Sequence, residues 1–109
     1  MNYKIIPSDT FEKDVKKLAK KFKQLKKDLI TLFEELQKDP FSGISLGNNC
    51  YKIRVPNSSI PTGKSGGFRT ISLVKIEAEK IFLLTIYSKT EKENISDDEL
   101  KELLENLWK

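Results

Sequence analysis

No histidine occurs anywhere in the 109 residues, and there is one cysteine and one tryptophan. Without an imidazole the chain cannot build a Ser-His-Asp or Cys-His site, and it lacks the side chain that normally titrates near neutral pH. Nor can it assemble the nitrogen and sulfur ligands zinc favours. A carboxylate site for Mg²⁺ or Ca²⁺ is what remains, but Asp97, Asp98 and Glu99 are better read as residues that open a helix. No metal or other cofactor is expected. A lone Cys50 excludes an internal disulfide, makes a reducing compartment the simplest home, and reads as a buried filler because nothing is present to activate it. No run approaches the ~18 apolar residues of a membrane span, and the start, Met1-Asn2-Tyr3-Lys4-Ile5-Ile6-Pro7, lacks a signal-peptide core. A cytoplasmic protein with no membrane partner is expected.

Arginine is scarce in a different way. Of 20 Lys+Arg, only Arg54 and Arg69 are arginine. A guanidinium grips a phosphate through two parallel hydrogen bonds, which an ammonium cannot do, so the two placements carry information. Arg54 ends Tyr51-Lys52-Ile53-Arg54, and Arg69 ends Gly63-Lys64-Ser65-Gly66-Gly67-Phe68-Arg69, a basic glycine-rich loop running into a strand. A third motif, Ile86-Tyr87-Ser88-Lys89, closes the most apolar strand. Taken singly, either arginine is best explained by an exposed pair with a carboxylate, worth ~0 to 1 kcal/mol. Clustering of six phosphate-competent side chains on three neighbouring elements favours a site. The net charge of +4 and pI near 9.1 agree with a polyanionic partner.

The length fits one domain, residues 1–109, able to bury a core unaided. Residues 2–6 read as a strand ended by Pro7. Ser8, Asp9 and Thr10 offer N-cap oxygens, and Phe11, Val15, Leu18, Ala19 and Phe22 recur at helical spacing, with Lys13, Lys16, Lys17, Lys20 and Lys21 on the other faces. Leu25, Leu29, Leu32, Phe33 and Leu36 continue the stripe to Asp39-Pro40. Periodicity permits one long helix or a hairpin of two, and a small domain folds more easily around a hairpin. Residues 41–49 read as a turn-rich connection. The next strand puts Tyr51, Ile53 and Val55 on one face and Lys52 and Arg54 on the other. Residues 56–67 form a long polar loop, 68–74 and 81–87 are strands joined by a hairpin turn, and the second is apolar enough to be covered on both faces. Ser96-Asp97-Asp98-Glu99 is a capping box, and Leu100, Leu103, Leu104 and Leu107 mark the inner face of a last helix. The order is β-α-α-β-β-β-α, an α+β fold.

Lys64-Ser65 after Gly63 is not a P-loop, because Ser58 stands where the first glycine is needed and a strand follows in place of a helix. Cations and a phenol suit another reaction, cleavage of RNA by its own 2′-hydroxyl. Arginine and lysine can stabilise the doubly charged phosphorane. A lysine or tyrosine whose pKa is depressed by clustered cations can move a proton, which predicts a rate still rising above pH 7. Positioning lowers such a barrier most, so a second macromolecule holding the substrate in line is expected.

Together with the Phe11-Glu12-Lys13-Asp14 helix start, Asp39-Pro40 and Leu83-Leu84-Thr85-Ile86-Tyr87-Ser88-Lys89, these motifs make the chain resemble the RelE/ParE superfamily of bacterial type II toxins. The Gly-Lys-x-Gly-Gly-x-Arg loop resembles its HigB-like, RelE-type branch. The resemblance implies a mainly antiparallel sheet packed against an N-terminal helical hairpin and a C-terminal helix. It also implies a ribosome-dependent endoribonuclease that cuts the mRNA codon in the ribosomal A site, held inactive by a cognate antitoxin. Carried onto matching positions, Arg54, Lys64 and Arg69 correspond to phosphate-embracing residues, and Tyr87 and Lys89 to the C-terminal site positions. Relatives that use a histidine in that segment have no counterpart here. Lys52, Lys16 and Lys20 are further candidate RNA contacts, with solvated lysine as the alternative for each. Arg69→Ala is expected to abolish activity and leave the fold intact. Two other readings stay open: a ParE-like inhibitor of DNA gyrase, and a basic RNA-binding module without catalysis.

Overall fold

The computed structural model describes residues 3–60, 67–92 and 94–107. The elements run β1 (Lys4–Pro7), α1 (Asp9–Ala19), α2 (Leu25–Lys38), β2 (Ile44–Gly47), β3 (Cys50–Val55), β4 (Phe68–Lys75), β5 (Lys80–Ser88) and α3 (Asp97–Leu107). They form a five-stranded sheet in the order β1-β5-β4-β3-β2, with β1 parallel to β5 and the other pairs antiparallel.

One strand more is present than the sequence reading gives. The 41–49 segment holds β2, which pairs Ser45 with Tyr51 and Gly47 with Cys50 around a two-residue loop. Asn48 and Asn49 have φ of 52° and 62°, the left-handed geometry that lets a tight hairpin follow strand twist. Two apolar residues, Ile44 and Leu46, gave too short an alternation to stand out from the turn residues around them.

The helical stripe does break into a hairpin. Ser8 caps α1 by accepting from the Phe11 N–H at 3.1 Å. Phe22 then turns into the core and meets Phe68 edge-on, with ring centroids 5.2 Å apart. A distant loop fixes the start of α2. Ser59 Oγ accepts from the Gln24 N–H at 2.9 Å, and the buried Asp28 carboxylate accepts from the Ser58 N–H at 3.0 Å and from its hydroxyl. No glycine or proline was needed, because tertiary partners satisfy the exposed helix end.

Each face of the sheet has its own core. Phe11, Leu18, Leu25, Leu32 and Leu36 of the hairpin bury Ile53, Val55, Phe68, Val74, Ile81, Leu83 and Ile86. On the opposite face α3 covers Cys50, Ile71, Leu73 and Leu84. Full burial of such a side chain contributes ~1.5 to 3 kcal/mol, and α3 commits only Leu100 fully, so it is the more weakly held layer.

The β4–β5 ladder contains a bulge. Ile71 pairs with Thr85 and Ser72 with Leu83, leaving Leu84 as the extra residue of β5. Helix α1 supplies the partners this irregularity needs. The Ser8 hydroxyl donates to the Leu84 carbonyl at 3.1 Å, and Asp14 Oδ2 accepts from Thr85 Oγ1 at 2.5 Å and from the Ile86 N–H at 3.3 Å.

Candidate active site

Strand register assembles the site. Arg54 pairs with Arg69, and Arg69 pairs with Tyr87, so the three stand in one row across β3, β4 and β5. The row lies on the α3 side of the sheet and spans two strand spacings, roughly 9.5 Å. Two guanidinium groups directly opposite each other repel, an arrangement that an anion between them relieves.

The members of the row differ in exposure. Arg54 is exposed and has no carboxylate partner among the described residues. Arg69 is only 4 % exposed and its Nη1 donates to the Phe68 carbonyl at 3.2 Å. Burial adds a stability cost to the expected effect of Arg69→Ala, since truncation removes a buried, hydrogen-bonded side chain. Tyr87 is 6 % exposed, and its hydroxyl finds no hydrogen-bond partner among the described residues.

Burial pushes the Tyr87 phenol above its ordinary value; the Arg69 guanidinium pulls it down and the Glu99 carboxylate pushes it further up. The expectation of a phenol depressed by clustered cations is therefore overturned, because removal from water outweighs the one guanidinium close enough to oppose it. A protonated phenol at neutral pH can donate a hydrogen bond or a proton, and serves poorly as a base. Cys50 lies wholly buried, its thiol also pushed up by burial with Lys75 opposing, so it is the inert filler the sequence suggested.

Lys52 shares the Arg54 face, is half-buried, and donates to Asn94 Oδ1 at 2.9 Å. Lys89 is half-buried, and its backbone N–H donates to the Gly67 carbonyl at 3.1 Å, tying the end of β5 to the end of the glycine loop. Gly67 admits no side chain: a Cβ there would lie 2.1 Å from the Val55 carbonyl oxygen. Lys64, with Gly63, Ser65 and Gly66, lies outside the described residues, as does Trp108. Lys16 is exposed on α1 and Lys20 is exposed at its C-cap. Neither lines the cleft of about 210 Å³ beside Tyr87, which takes Lys17 instead, together with Asp14, Thr85, Glu91 and Lys92.

Lys92, Asn94 and Glu99 escaped the sequence reading as site residues. Lys92 Nζ sits 5.4 Å from the centroid of the Tyr87 ring and pairs with Glu99, while Asn94 reaches Lys52. Two described residues of the segment between β5 and α3 thus reach the α3 side of the sheet, Lys92 at the Tyr87 ring and Asn94 at Lys52. The capping box supplied one hint, because it fixed where Glu99 had to be.

A family model described as the RelE toxin of the RelE/RelB toxin–antitoxin system matches residues 9–107. The fold is similar to that of a double-arginine mutant of the E. coli toxin RelE in its free state, at 20 % identity over 99 % of this chain and 96 % of that one, with a TM-score of 0.57. It is also similar to the same mutant in complex with an antitoxin RelBc peptide, at 23 % identity over 94 % of each chain and a TM-score of 0.53. The isolated E. coli RelE toxin is similar at 20 % identity, over 94 % of this chain and 97 % of that one, with a TM-score of 0.52. Among curated proteins none matches.

Proposed function

The chain belongs to the RelE family of toxins, and on that premise we propose that it is a ribosome-dependent endoribonuclease that cuts mRNA in the A site and so stops translation. The observation that carries the proposal is the Arg54–Arg69–Tyr87 row, two guanidinium groups and a protonated phenol in register on one sheet face.

In the proposed reaction the substrate's 2′-oxygen attacks the adjacent phosphorus as its proton leaves. The 5′-oxygen then departs with a proton, giving a cyclic phosphate and a 5′-hydroxyl. Arg54 and Arg69 favour the phosphorane, whose added negative charge makes preorganised cations most effective at that point. Tyr87, held protonated by burial, donates to the phosphorane or to the departing oxygen. The 2′-proton passes to Lys64, Glu91, ribosomal RNA or water. No metal enters the scheme. The ribosome supplies the in-line alignment that a small cationic face cannot impose on flexible RNA.

A cognate antitoxin is the proposed inhibitor, in keeping with the complex that the similar RelE toxin forms with an antitoxin peptide. The Gly-Lys-x-Gly-Gly-x-Arg loop supports a HigB-like member, and a ribosome-bound substrate makes the cytoplasm its place of action.

The test is single-turnover incubation of the purified protein with programmed ribosomes, with the same RNA free in solution, and with DNA gyrase. Cuts within the A-site codon and near-intact free RNA are expected. Rapid cutting of free RNA would rule out ribosome dependence, and inhibited gyrase with intact mRNA would make the protein ParE-like.

A further inference from the structure

Three contacts converge on Glu99. Its Oε1 accepts from the Ser96 N–H at 3.1 Å, its own N–H donates to Ser96 Oγ at 3.1 Å, and its Oε2 accepts from Lys92 Nζ. The first two contacts form the capping box that starts α3. The third is not needed by the helix, and it places an ammonium over the ring of Tyr87. Lys92 also lines both clefts that flank this part of the site, the one with Lys17 and Tyr87 and the one with Glu99 and Glu102. Arg69 is buried, so next to Tyr87 the cation open to solvent is Lys92 and not its strand neighbour Arg69.

We propose that Glu99 is a positioning residue: it latches Lys92 over Tyr87 in the free protein, and transfer of that ammonium from Glu99 to an RNA backbone phosphate opens the C-terminal side of the site. The RNA-cleaving reading supplies the identity of the anion, and the latch deepens that reading. Its weakness suits the role. The Lys92 and Glu99 side chains are 40 % and 44 % exposed, and an ion pair so open to water is readily exchanged for a better acceptor. Phosphate is such an acceptor. Tyr87 responds to the exchange because, among the described residues, the charges around it are few: Arg69 from β4, Glu99 from α3, Lys92 and Glu91 from the segment after β5, and Asp14 and Lys17 from α1.

Glu99→Gln isolates the charge, because glutamine still closes a capping box and preserves the start of α3. Titration of the full-length chain by tyrosinate absorbance, with Tyr87→Phe subtracted, follows the single phenol. Glu99→Gln is expected to move Tyr87 to lower pH. Asp98→Asn, the same change of charge one residue away, is expected to leave it in place. Glu99→Gln is also expected to tighten binding of a labelled single-stranded RNA oligonucleotide about two- to fivefold, the size of one exposed charge contact. The salt slope should steepen by about 0.7, one further phosphate. The gain should vanish in Glu99→Gln/Lys92→Ala and survive in Glu99→Gln/Lys92→Arg. The latch is overturned if Glu99→Gln leaves titration and affinity at wild-type values, if the gain persists without Lys92, or if Asp98→Asn shifts Tyr87 equally. None of these measurements involves the ribosome. Failure of the wild type to cut ribosome-bound mRNA therefore refutes the proposed function alone, and failure of the titration and binding arms refutes the latch alone.

Discussion

Arg69 and Tyr87 face each other across the β4–β5 ladder, and they do so because Leu84 bulges out of β5. Without the extra residue, continuing the Ser72–Leu83 pairing would set Ile86 opposite Arg69 and turn Tyr87 to the helical hairpin beside Phe68. The bulge moves one phenol from a core to a cationic face, and Asp14 holds the bulge.

Asp14→Ala should therefore act on activity through geometry. It leaves the Thr85 hydroxyl and the Ile86 N–H short of an acceptor, a loss of about 1 to 3 kcal/mol. Ribosome-bound cleavage should fall further than in Leu36→Ala, a truncation in the hairpin-side core, on the sheet face opposite the row, expected to cost ~2 to 5 kcal/mol. Denaturant melts paired with single-turnover rates check this; activity that simply tracks stability in both variants would show that the bulge has no functional role.

Arg54→Ala and Arg69→Ala should separate in stability. Arg54 is exposed, so its loss should abolish toxicity with unfolding changed by about 0.5 kcal/mol or less. Arg69 is buried and bonded to the Phe68 carbonyl, so its loss should also cost about 1 to 3 kcal/mol. Equal melting temperatures for the two variants would contradict the burial. Arg69→Lys with full activity would show that bidentate geometry is not used.

For Tyr87, removing the phenol oxygen as Tyr87→Phe should slow cleavage ~100- to 10,000-fold if it transfers a proton. As an acid with a raised pKa, it keeps its proton well past neutrality, so its contribution should stay flat to about pH 10 and decline only above that. The wild-type profile should show that alkaline decline and the variant should lack it. A wild-type rate in Tyr87→Phe would reduce Tyr87 to a packing residue.

The same shift sets an alkaline limit on stability. The folded Tyr87 resists ionisation more than the unfolded one does, so its contribution is intact below about pH 10 and is lost as pH climbs through the folded value. The buried Cys50 thiol acts in the same direction from a lower starting value. Urea midpoints measured from pH 8 to 11 should fall, less steeply in Tyr87→Phe and in Cys50→Ala than in the wild type. Parallel curves for all three proteins would rule these groups out.

Gly67→Ala should be among the most damaging small substitutions. The added Cβ would meet the Val55 carbonyl at 2.1 Å, and the Lys89 N–H bond to Gly67 would be displaced with it. A loss above about 2 kcal/mol and absent cleavage are expected, read by thermal melts and ribosome assays. A stable, active Gly67→Ala protein would disprove the close approach.

Periodicity by itself determined much of this molecule. The amphipathic stripes, the alternation of Tyr51, Ile53 and Val55 against Lys52 and Arg54, and the Ser96–Glu99 capping box are local patterns, and local patterns are written in neighbouring residues. Scarcity of arginine and absence of histidine likewise point to a cationic site. Tertiary structure decided what depends on distant partners. Ser59 and Asp28 start the second helix from opposite ends of a contact that sequence spacing cannot display. Register put Arg54 and Arg69 opposite each other, and the Leu84 bulge added Tyr87. Burial then raised the phenol where a count of nearby cations had suggested the reverse, because charges in a sequence are counted without knowing how much water remains around them.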